Sequence, residues 1–143
     1  MKAQSAAFLE KSRELLERAA TMLEVGLNED AGRTAYLAGL HAAQALIFET
    51  HGRVSKRHAS VQGEFGRLVK DDLRVDIALR GFLGRSYPLK AIADYETGPG
   101  SHVSAENARG AIQTARRFVN CVATLIIQPD DRAPPTPESG SKP

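Results

Sequence analysis

From about residue 3 to residue 25, Phe8, Ser12, Leu15, Leu16, Ala19 and Leu23 recur at helical spacing, while Lys11, Arg13, Glu14, Glu17 and Arg18 occupy much of the remaining surface. The pattern predicts an amphipathic helix stopped by Gly26. Asn28 then suits an N-cap, and Glu29 and Asp30 complement the dipole of the first turn that follows. This second helix should run to about Thr50 and end near Gly52. Within it Ala31, Ala35, Ala38, Ala42 and Ala45 fall on one face, so another helix backbone can approach closely. Arg33, Tyr36 and His41 lie in the same stretch and are more polar than a packing seam needs.

A short basic loop, Arg53 to Arg57, separates this helix from a shorter third one marked by His58, Val61, Phe65 and Leu68. Asp72 is a candidate cap for a fourth, with Leu73, Ile77, Leu79 and Phe82 as apolar contacts. A break or kink is expected near Tyr87-Pro88, with a helical turn or two continuing from Leu89 to Glu96. Thr97-Gly98-Pro99-Gly100 reads as a loop, and Ser104 as the cap of the last helix. There Ala108, Ile112, Ala115, Val119, Val122 and Ile126 form the most regular apolar stripe of the chain. No stretch alternates like a strand. The expected fold is an all-α, up-and-down bundle of four to five helices over residues 1–128. From Pro129 to Pro143 prolines lie among Asp, Glu, Ser and Gly, which predicts a disordered tail that proteolysis should trim without loss of fold.

Composition narrows the function classes. The 143 residues suit one domain with a sizeable core, and a net charge of +2 does not by itself demand a nucleic-acid partner. The single cysteine, Cys121, excludes an internal disulfide or a multi-cysteine zinc site and reads as a small core residue. Neither a secretory signal nor a membrane-spanning run is evident, so a cytoplasmic setting is expected. His51 and His102 lie at helix ends without metal-ligand spacing to the other histidines. There is no P-loop, nucleotide-binding glycine motif or nucleophile triad, so the residues imply no metal and no cofactor.

Several basic and aromatic residues remain as candidates. Arg53, Lys56, Arg57 and His58 concentrate positive charge at a helix start, where backbone N–H groups favour a phosphate. The competing reading is a solvated loop with His58 packing locally. His41 and Tyr36 lie about 140° apart on an ideal helix, so they cannot serve one small ligand, whereas Arg33 and His41 are about 80° apart. A histidine among alanines also fits a hydrogen-bonded packing residue.

Four blocks in order resemble the HEPN superfamily, in the branch often encoded beside minimal nucleotidyltransferases. They are Arg18-Ala19-Ala20, then Gly32-Arg33-Thr34-Ala35-Tyr36 running into His41-Ala42-Ala43-Gln44-Ala45-Leu46, then Ser55 to Val61 with Phe65 behind it, and finally Ala93-Asp94-Tyr95. They span about residues 8 to 127. The resemblance implies a homodimer, because HEPN ribonucleases are metal-independent and build one cleft from an arginine and a histidine of each subunit. The alanine seam and the apolar stripe of the last helix, more low-profile surface than one small bundle obviously consumes, point the same way. In this branch the motif often reads arginine, two residues, then Ala-Asp-Tyr. Here the corresponding stretch is Lys90-Ala91-Ile92-Ala93-Asp94-Tyr95. Lysine keeps the charge without arginine's bidentate fork, and tyrosine is a poor base near neutral pH. The resemblance therefore makes Lys90 and Tyr95 the catalytic candidates. Arg53 and His58 form a rival pair, matching arginine, four residues, histidine by letter, but in a connecting loop rather than at the place of the family motif. Arg33, His41, Arg57, His58, Arg85 and Asp94 are the candidate RNA or phosphate contacts.

Function is expected in a toxin–antitoxin-like or stress-response pair, as a dimeric nucleotide- or RNA-binding module or a nucleotidyltransferase partner. The alternatives are a metal-independent ribonuclease toxin and a plain helical adaptor.

Overall fold

A computed structural model describes residues 1–95 and 102–128, and among them every regular element is a helix. The order is α1 (Ala3–Glu24), α2 (Asn28–His51), α3 (His58–Val69), α4 (Ile77–Arg80), α5 (Phe82–Tyr95) and α6 (Ala105–Ile127). The all-α expectation holds, with six helices rather than four or five because the fourth segment divides at Gly81. The loop expected at 97–100 and the tail from 129 lie outside the described residues.

Helix α2 is the axis of the bundle. It packs against α1, α3, α5 and α6, and its five seam alanines are completely buried. The sequence alone made that seam, with the α6 stripe, look like spare surface for a second subunit. The fold instead spends both inside one chain, so the seam gives no argument for a dimer. At the end of α2, Gly52 closes the helix in the left-handed conformation, at φ 73°. Between α3, α5 and α6 the rings of Phe65 and Phe82 stand 5.0 and 5.2 Å from that of Phe118.

Local signals were read correctly at some ends and displaced at others. Ser104 caps α6, its hydroxyl accepting from the Asn107 amide at 2.9 Å. Asn28 is the first residue of α2 rather than its cap. Asp72 does not cap the fourth helix. It accepts from the backbone and guanidinium of Arg74 in the preceding turn, while Asp76 caps α4 through the Leu79 amide. Nor are Leu73 and Ile77 core contacts, being 81% and 83% exposed. That turn is closed by Arg80, whose guanidinium donates to the carbonyls of Val69, Lys70 and Asp72 just past α3. The expected break at Tyr87-Pro88 does not end the helix: α5 continues through Pro88 to Tyr95.

Candidate functional site

The site begins with two glycines. Gly32 and Gly39, seven residues apart on α2, lie under Leu89 and Phe82, seven apart on α5. A Cβ at Gly39 would stand 2.5 Å from the Phe82 ring, and one at Gly32 would stand 3.5 Å from Leu89. The two helices thus run antiparallel in close contact, which brings Arg33 of α2 to the end of α5. Its Nε donates to Asp94 Oδ1 at 2.6 Å, and Lys90 Nζ donates to Asp94 Oδ2 at 2.8 Å. The lysine also lies 5.1 Å from the centre of the exposed Tyr95 ring. One carboxylate therefore holds two cations side by side, with one positive charge to spare. The hydrogen bond from Lys90, supported by Arg33, holds the Asp94 carboxyl below its usual range, and that bond to Asp94 raises Lys90 in turn.

A second group lies beside the first. Tyr36 is fully buried, and its hydroxyl is 2.7 Å from His58 Nδ1, with the two rings stacked at 5.6 Å. Tyr87 of α5 meets both rings edge-on. Gln62 Nε2 donates to the Tyr36 hydroxyl at 3.3 Å. Burial raises the pKa of that hydroxyl, so it remains a phenol, hydrogen-bonded to Nδ1. When the phenol donates to Nδ1, the neutral imidazole carries its proton on Nε2. Desolvation lowers the His58 pKa and the Lys90 charge lowers it further, which places this histidine within the field of the α5 lysine.

Sequence reasoning set Lys90 and Tyr95 against Arg53 and His58 as rival sites. The structure joins one member of each pair. Arg33 and Lys90 meet on Asp94 at the α2–α5 contact, with Tyr95 beside the lysine, while His58 packs on Tyr36 of α2 and on Tyr87, one turn before Lys90 on α5. The other candidates lie elsewhere. Arg85 turns back to the Ala78 carbonyl, Arg57 is exposed at the start of α3, and Arg53 opens onto a separate groove. His41 also belongs to that groove, with Nδ1 2.8 Å from Gln44 Oε1, so it does not work with Arg33. Tyr87 and Gln62 were missed. Their only sequence signal is long-range, and neither marks a motif. Among the described residues no three His, Cys, Asp or Glu side chains are placed to share a metal ion.

Burial gives the site a pH signature. Desolvation lowers both His41 and His58 below the ordinary value of 6.5. The unfolded chain therefore binds more protons than the native state as pH falls through that value. Their contribution to stability is complete above pH 6.5 and is lost progressively below it. The melting temperature should fall between about pH 7.5 and 5.5, and less so in His41→Phe. A melting temperature that stays level or rises on acidification would contradict this assignment.

Comparison with known proteins now bears on this geometry. The family model described as the HEPN domain matches residues 5–125. The chain is also 30% identical over 120 residues to the protein named "putative toxin MJ0605" of Methanocaldococcus jannaschii, covering 84% of this chain and 87% of that protein. No helix among the described residues is long and apolar enough to cross a membrane.

Proposed function

This chain belongs to the HEPN domain family, and from that premise we propose a toxin-like, cytoplasmic HEPN module that binds single-stranded RNA or nucleotide phosphates at the Arg33–Lys90–His58 face. The module works as a homodimer in which two such faces adjoin, and a minimal nucleotidyltransferase is the partner class that suits it. Its relative's name, with the word toxin, supports the first part of that reading. The observation that carries the rest is the hydrogen bond between the buried Tyr36 hydroxyl and His58 Nδ1. With that phenol donating to Nδ1, the neutral ring offers Nε2–H, a donor, one turn of α5 from Lys90 through its contact with Tyr87. A donor and two cations suit a phosphate oxygen. A general base would need a free lone pair instead.

Binding of a labelled single-stranded RNA, measured over a range of salt, tests the proposal. Lys90→Ala and Arg33→Ala should each weaken binding about threefold to fivefold and reduce the salt slope by about one. Lys90→Arg should keep or strengthen it through a bidentate contact. The RNA should remain intact, and light scattering should give twice the 15.4 kDa chain mass. Cleavage that disappears in His58→Ala or Tyr95→Phe would establish the ribonuclease alternative. Absence of RNA binding together with a monomeric mass would remove the face as a functional site.

A further inference from the structure

On the far side of His58 lies a groove of about 700 Å³, within the range of small-ligand sites. It runs between α1, α2 and the loop from Gly52 to His58. Its lining is mostly apolar and includes Phe8, Leu37, Leu40 and Phe48. The ionisable side chains lining it are Arg53, Lys56, His41 and His58, and no carboxylate is among them. Lys11 of α1 lies near enough to act on His41 as well.

The polar wall is specific. Gln44 Nε2 donates to the Ser55 carbonyl at 3.2 Å, which orients its Oε1 toward His41 Nδ1 at 2.8 Å. His41 therefore carries its proton on Nδ1, leaving Nε2 as a lone-pair acceptor when the ring is neutral. The same ring lies 6.1 Å from that of Phe8, inclined by 20°. One wall of the groove is thus a pair of nearly parallel rings with an acceptor nitrogen, and its rim is cationic. A flat ligand with an N–H donor and an attached anion satisfies all three features. An acyl chain would leave the acceptor unused.

We infer that this groove holds one nucleobase against Phe8 and His41, with the attached phosphate on Arg53 and Lys56. The inference deepens the proposed phosphate face and rests on that reading, since His58 borders both. The base comes either from a free mononucleotide or from an unpaired residue of an RNA strand.

Calorimetric titration of the full chain with AMP, ribose 5-phosphate and single-stranded hexaadenylate separates these sources. AMP should bind about tenfold more tightly than ribose 5-phosphate, because stacking is available only to the base. His41→Phe should lose the N–H recognition while keeping the ring, and Arg53→Ala should weaken both AMP and hexaadenylate. Equal affinity for AMP and ribose 5-phosphate would overturn the base pocket and leave the phosphate face untouched. Hexaadenylate binding that depends on Lys90 but not on Arg53 or His41 would overturn it too. AMP binding sensitive to Arg53, with no binding of hexaadenylate, would uphold the groove for free nucleotides and remove the RNA reading of the neighbouring face. Folding of each variant is checked by its helical signal, and Arg53 is exposed, so at least that substitution leaves the core intact.

Discussion

Phe118→Ala should lower the stability of this protein by about 3–5 kcal/mol, read as a lower urea midpoint with an unchanged denaturant slope. The ring is fully buried and touches Phe65 of α3 and Phe82 of α5, so its removal loosens three helices at once. A domain of this size has only about 5–15 kcal/mol in total, so the variant should be partly unfolded in modest denaturant. Truncation at Leu73 gives the contrast. That side chain is 81% exposed, and Leu73→Ala should change stability by less than about 0.5 kcal/mol. Similar losses at the two positions would mean that the ring cluster is not the centre of the core.

Gly39→Val should cost about 1–3 kcal/mol, through overpacking rather than a cavity. The added atoms meet Phe82, and that ring is held from behind by Phe118 and cannot simply rotate away. Alanine at this position gains helix propensity of roughly 0.5–1 kcal/mol but meets the same ring, so Gly39→Ala should be milder. The effect should reach the site. Pushing α5 off α2 separates Arg33 from Asp94, and RNA binding should weaken beyond what global stability explains. Combining Gly39→Ala with Phe82→Leu, which withdraws the ring edge, should recover both properties. Failure of the pair to recover either would show that the close approach does not position the site.

Much of the fold was legible because its signals are local. The apolar steps in α1 and α6, the Ser104 cap and the glycine after α2 each depend on neighbours within a turn or two. The fourth segment was misread for the opposite reason. Leu73 and Ile77 are apolar by letter, but whether a short turn buries them depends on where Arg80 fastens the end of α3. The site was half legible. Lys90, Asp94 and Tyr95 sit on one helix and carry the family pattern, so their grouping could be anticipated. That His58 belongs with them could not, because the link runs through Tyr36 and the packing of α3 on α2. The alanines were noticed at once, whereas Gly32 and Gly39, which set the α2–α5 distance, look like ordinary members of the same small-residue seam.

Pro88 divides α5 without bending its role in the bundle out of place. It has no amide proton, so the carbonyl of Gly84 cannot complete the helical ladder there. Phe82, Leu83 and Ser86 on the near side are buried, while Asp94 and Tyr95 on the far side are exposed. The two halves therefore differ in their ease of local opening, and hydrogen exchange should be faster from Leu89 onward than in α2. Asp94 is then more than a partner for two cations: its bond to Arg33 joins the packing of Leu89 and Ile92 on the core in fastening the last turns of α5 to α2.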